Sequence, residues 1–117
     1  MKIKILIMIL LMVNPSTIFA DNQINMNMQI KFIRAVGDYA GTTYDNTIEL
    51  HFTTPLSWPA GSACTNTKRV MIDSKHTHLI SAAYAAFTTD RKVNINTDTT
   101  LPNRNGACEV SYLDILE

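Results

Sequence analysis

The chain has 117 residues, 46% of them hydrophobic, and its basic and acidic side chains balance at ten each. That length holds one small domain and not two, and balanced charge offers no basic face for holding nucleic acid. Nucleic acid is therefore not an expected partner.

Residues 1–20, MKIKILIMILLMVNPSTIFA, have the layout of an export signal. Lys2 and Lys4 supply the positive start, Ile5 to Val13 is an unbroken apolar run of nine residues, and Asn14, Pro15 and Ser16 break it. Such a run is too short to cross a bilayer, which takes about 20 residues. Cleavage is expected between Ala20 and Asp21, although Ile18 is larger than the small residue usual at its position. The alternatives are a retained anchor or a buried N-terminal strand. No cysteine follows the run to carry a lipid, and no later stretch suits membrane insertion. The expectation is an exported protein, periplasmic or secreted, with one domain at residues 21–117. Losing Lys2 and Lys4 leaves eight basic residues against ten acidic, a net charge of about −2.

The chain holds two cysteines, Cys64 and Cys108, and export takes them through an oxidising compartment. Two cysteines allow one internal pairing. A disulfide is the expectation; a reactive thiol or a pair of metal ligands is the alternative, without a CxxC or Cys-His cluster to support it.

In chain order, Asp21 to Asn27 is polar and expected to be loosely attached. Alternation of Met28, Ile30 and Phe32 with Gln29 and Lys31 predicts a first strand running to about Val36. Gly37, Asp38, Gly41, Asp45 and Asn46 punctuate a loop. The second strand alternates cleanly, Ile48, Leu50 and Phe52 against Glu49, His51 and Thr53. Pro55, Pro59 and Gly61 make a longer connection around Trp58, and Lys68 to Ile72 predicts a third strand. The period then becomes helical through Leu79, Ile80, Ala83, Tyr84, Ala86 and Phe87, from an N-cap at Ser74 or Thr77 to about Thr88. A fourth strand spans Lys92 to Asn96, a turn Thr97 to Gly106, and a last strand Ala107 to about Leu116, with a bulge or a doubly covered face near Leu113. The fold expected is mainly β with one helix: a five-stranded OB-fold-like barrel, order β-β-β-α-β-β, with one disulfide.

Within that order, AC (63–64), RVMID (69–73), LISAAYAAF (79–87), RKVNIN (91–96) and GACEVSYLDI (106–115) form a recognisable layout. It resembles small secreted bacterial OB-fold proteins of the kind used as B subunits by the subtilase-cytotoxin and pertussis-like toxins, over Ile30 to Ile115. The resemblance implies a non-enzymatic binding module, in which five copies form a ring, helices line its centre, and outer faces bind host glycans. Ala82, Ala83, Ala85 and Ala86 would make the helix slim enough to approach a neighbouring copy, although alanines also simply favour helix and close packing.

Three aromatic residues in predicted loops, Tyr39, Tyr44 and Trp58, are the candidate ligand-binding side chains. Flat rings stack on sugars, and Asp38, Thr43 and Asp45 lie near to bond hydroxyls. The competing role, strongest for Trp58, is capping the core. His51, His76 and His78 are the only histidines, and the last two lack the i, i+4 spacing of a helical metal pair, so neither metal nor cofactor is expected. No GxSxG, HExxH or P-loop is present, and catalysis is not expected. The function expected is glycan or protein recognition by a homo-oligomer, with a monomeric periplasmic interaction or inhibitor domain as the alternative.

Overall fold

The computed structural model describes residues 22–117. The export signal and its cleavage point at Ala20 and Asp21 lie outside the described residues. Elements follow in the order β1 (Asn22–Met28), β2 (Ile30–Val36), β3 (Thr47–Phe52), β4 (Arg69–Asp73), α1 (Thr77–Thr88), β5 (Val93–Asp98) and β6 (Val110–Ile115). They pair as two three-stranded antiparallel sheets, β1-β5-β6 and β2-β3-β4. The mainly β class with one helix and one disulfide is as expected. The five-stranded closed barrel is not: the described residues hold six strands, and strand pairing stays within two sheets. A parallel bridge between Met71 and Glu109 ties the sheets at one point, where Met71 N donates to Cys108 O at 2.9 Å.

The additional strand is the polar run that was expected to hang loosely. β1 inverts the usual polarity of a strand. Gln23 and Asn25 are buried, whereas Ile24 and Met26 are 55% and 63% exposed. Burying amides is costly unless they are hydrogen-bonded, and here they are. The Asn25 side chain accepts from Ser57 N at 2.7 Å and donates to Ser57 O, and Gln23 Oε1 accepts from Ser62 Oγ at 2.8 Å. Pairing with β5 makes β1 a strand, and the loop around Trp58 satisfies the amides it buries.

The single first strand expected from Met28 to Val36 is divided at Gln29. Asn27 has a positive φ of 54°, and the register with β5 shifts between Asn25 and Met28. The register of β2 with β3 shifts between Ile30 and Phe32. These irregularities turn the chain out of one sheet and into the other, as strands do where two sheets share a corner.

Met28, Ile30, Ile48, Leu50, Phe52, Val70, Ile72, Val93, Ile95 and Val110 build the core from both sheets, closed by Leu56 and by Leu79, Ala83 and Ala86 of α1. Helical spacing explains the last three, which share one face. Ala83 and Ala86 are fully buried, so two of the four alanines serve close packing on the sheets. The helix N-cap is His76, not Ser74 or Thr77, and it makes no side-chain cap bond. Thr97 and Asp98, expected in a turn, extend β5. The irregularity expected near Leu113 falls earlier, between the pairs Asn96–Tyr112 and Thr97–Val110, which leaves Ser111 as the extra residue.

Gly106 shows a backbone requirement plainly. Its φ is +85°, and a Cβ there would overlap the Thr65 side chain. Its carbonyl accepts from both Thr65 N (2.9 Å) and Asn66 N (3.0 Å), so the segment has little room to retreat. Gly106→Ala should cost roughly 1–3 kcal/mol and lower Tm by about 5–15 °C in a thermal melt. An unchanged Tm would show that this contact is soft.

Candidate functional site

The sheet β2-β3-β4 has a second face, opposite the core, and strand alternation dictates what stands on it. Ile48, Leu50 and Phe52 point to the core; Glu49 and His51 point away. Register then places Arg34 beside Glu49 and Phe32 beside His51, with His51 next to Arg69 on the other side. Neither alignment follows from sequence spacing alone.

The result is a buried carboxylate among cations. Glu49 is 1% exposed. Its Oε1 meets Arg69 Nη1 at 2.7 Å, its Oε2 lies 3.4 Å from Arg34 Nη1, and the same Oε2 lies 3.7 Å from His51 Nε2. Arg34 and Arg69 also lie over aromatic rings, at 6.0 Å from the Phe32 centroid and 4.7 Å from the Tyr44 centroid. Phe32 and His51 stack, centroids 4.1 Å apart and rings inclined by 16°. Three buried polar atoms in this group, Glu49 Oε2, His51 Nε2 and Arg69 Nε, have no hydrogen-bond partner. Burial holds the His51 imidazole below its ordinary pKa; Glu49 opposes that shift, and Arg34 and Arg69 reinforce it.

A cleft of about 460 Å³ opens beside this group, lined by Lys31, Phe32, His51, Thr53, Thr67 and Lys68 among others. Its apolar floor is Phe52 and the half-exposed Phe32 ring, and its polar groups are threonine hydroxyls and lysine ammoniums. A second cleft, of about 390 Å³, lies between β1 and the following loop, lined by Asn22, Gln23, Ile24, Ser57, Trp58 and Pro59. Among the described residues, every one on that lining is uncharged.

The three candidate aromatics do not gather. Trp58 packs against the core and its Nε1 donates to Asn66 O at 2.8 Å, yet part of it lines the second cleft. Tyr44 lies under Arg69, and its hydroxyl accepts from Asn105 Nδ2 at 3.0 Å. Tyr39 is 57% exposed on the loop after β2 and lines neither cleft. Asp38 and Asp45 are engaged within that loop, Asp38 accepting from Asn46 Nδ2 and Asp45 from Tyr39 N. His76 and His78 meet edge to face near the start of α1, centroids 6.2 Å apart. Among the described residues no three His, Cys, Asp or Glu side chains gather as metal ligands would, and no helix is long and apolar enough to cross a membrane.

Sequence reading passed over Phe32, Arg34, Glu49 and Arg69. The available signal was the outward pair Glu49 and His51 in the cleanest strand, two titratable groups on a face normally left to plain polar residues. Its partners come from strands separated by loops, so only pairing register identifies them. The chain matches no protein-family model, and no curated protein and no solved structure is significantly similar to it.

Proposed function

We propose that this chain is an exported, non-enzymatic binding module, similar in role to toxin B subunits, that recognises glycans as a homo-oligomer. In this reading the two sheets, sharing the corner at Met28–Ile30 and bridged at Met71–Glu109, are an opened variant of the OB-fold layout. One observation carries the glycan reading: the cleft in which Trp58 stands beside Asn22, Ser57 and Pro59, with no charged side chain among the described residues that line it. An aromatic surface bordered by amide and hydroxyl groups suits a sugar ring, which offers apolar C–H faces and hydroxyl edges.

The alternative, a monomeric periplasmic protein-interaction or inhibitor domain, draws on β1. It is an edge strand with Ile24 and Met26 outward, and an extended segment of a partner can add to such an edge. The same edge would serve a neighbouring copy in a ring.

Light scattering of the oxidised, processed protein, followed by a glycan array, separates the readings. The expected result is a mass near five protomers and retention of a glycan subset. Ser57→Arg should fill the cleft and abolish retention. The side chain at 57 is exposed, so Tm should stay within about 2–4 °C of the parent. A monomer that retains no glycan overturns the proposal in favour of the alternative.

A further inference from the structure

The cleft beside Phe32 and His51 differs in chemistry from the Trp58 cleft, and the glycan reading makes no use of it. Lys31 and Lys68 line it, and among the described residues no acidic side chain does. Arg34 stands by Phe32 with its side chain 57% exposed, and Arg69 follows Lys68 in the chain. The one acid nearby, Glu49, is buried and paired with Arg69 and Arg34, so it is withdrawn from the solvent side. Four cations thus lie in or beside the cleft, and two of them, Arg34 and Arg69, share one sequestered carboxylate. The potential in the open cleft is positive, and it is focused there by the apolar walls of Phe32, Phe52 and Pro55.

Two further features suit a ligand rather than bare solvent. The Phe32 ring is a half-exposed platform held flat by stacking on His51. The His51 imidazole lines the cleft while its buried Nε2 faces Glu49 Oε2 at 3.7 Å, so the ring edge and not that nitrogen meets the cleft. We propose that this cleft binds a small oxyanion, a carboxylate or phosphate, carried on a flat ring that lies against Phe32. Lys31 and Lys68 meet the charge from the rim, the threonine hydroxyls of Thr53 and Thr67 supply hydrogen bonds, and the ring takes the apolar floor.

Binding is linked to a proton on His51. The groups facing that imidazole are Phe32 and Arg34 from β2, Glu49 from β3 and Arg69 from β4, with Lys31 and Lys68 at the cleft. Burial, reinforced by the two arginines and opposed by Glu49, lowers the pKa of this imidazole. An oxyanion placed beside it favours the imidazolium, so the bound state takes up a proton and affinity rises as pH falls.

The test is amide NMR titration of the oxidised protein with benzoate and with phenyl phosphate, against benzamide as the neutral analogue. The expected result is saturable shifts at Lys31, Phe32, His51 and Lys68 with Kd on the order of 1–10 mM for at least one anion, and none with benzamide. Binding by benzoate alone or phenyl phosphate alone supports the site and identifies which oxyanion it prefers. Lys31→Ala combined with Lys68→Ala, both at exposed positions, should weaken binding by about tenfold. Benzoate, which does not titrate in this range, should bind about threefold tighter near pH 5.5 than near pH 7.5, and His51→Gln should flatten that slope. No shifts at the cleft, equal binding of benzamide, or unchanged affinity in the double lysine variant would each overturn the proposal. A flat pH profile in the parent protein would overturn its proton linkage. The benzamide and lysine comparisons do not depend on how well the His51 variant folds.

Discussion

Glu49→Ala should be the most damaging single substitution on the outer sheet face, lowering stability by about 3–5 kcal/mol. For a domain of this size that corresponds to a Tm loss of roughly 15–30 °C. The magnitude comes from what the substitution leaves behind. Among the described residues Glu49 is the one anion in contact with Arg69, at 2.7 Å, and Arg69 is itself mostly buried. Removing the carboxylate strands that guanidinium beside Arg34 and His51. Arg34→Ala should cost far less, about 0–1 kcal/mol, because the Arg34 side chain is 57% exposed and its contact with Glu49 is longer, at 3.4 Å. The decisive comparison is the double variant Glu49→Leu with Arg69→Met. If the penalty in Glu49→Ala is an unpaired buried charge, removing both charges should recover most of the lost Tm. A Glu49→Ala protein melting within about 5 °C of the parent would refute the account.

Removing the disulfide should have an effect of similar size through a different state of the chain. Cys64 and Cys108 are joined across 44 residues, and closing a loop of that length in the unfolded chain is worth about 4 kcal/mol. Cys64→Ala with Cys108→Ala should therefore lower Tm by roughly 15–30 °C, and reduction of the parent protein should give a comparable shift. The bridge also sits at a structural junction. Cys108 O accepts from Met71 N where the two sheets touch, and Gly106 O holds Thr65 and Asn66. Loss of the bridge should consequently loosen the 57–66 loop, and with it the Ser57 and Ser62 bonds that keep Gln23 and Asn25 satisfied. Hydrogen exchange should report faster opening of β1 than of β3 in the reduced protein. A Tm change below about 5 °C would show that native contacts alone hold this junction.

Local signals made much of the architecture legible. The alternation in 48–53 placed β3 within a residue of its observed start and end, because a two-residue period depends only on neighbours. The spacing of Leu79, Ala83 and Ala86 located α1 and its C-terminal end at Thr88 for the same reason. The helix start was less legible, since His76 caps without a side-chain bond and so carries no cap signature. The first strand misled because its division at Gln29 arises from a register shift, a property of paired strands.

The candidate site divides along the same line. Trp58 was visible as an aromatic in a proline-bounded loop, and it does line a cleft while also packing on the core. The Phe32 cleft was not visible, because its residues come from β2, from β3 and the segment after it, and from the residues just before β4. No spacing rule connects Phe32 to His51 or Glu49 to Arg69.

The sequence by itself determined the mainly β class with one helix and the single cysteine pairing available to the chain, since periodicity and counting suffice for both. Tertiary structure alone decided that polar Gln23 and Asn25 face inward while Ile24 and Met26 face solvent. It also decided that one glutamate is buried against Arg34, Arg69 and His51. Each depends on which distant segment supplies a hydrogen bond or a countercharge: the Ser57 and Ser62 loop for β1, and the registers of β2 and β4 for Glu49. A side chain's own hydropathy cannot state its burial when a partner tens of residues away sets the cost of desolvating it.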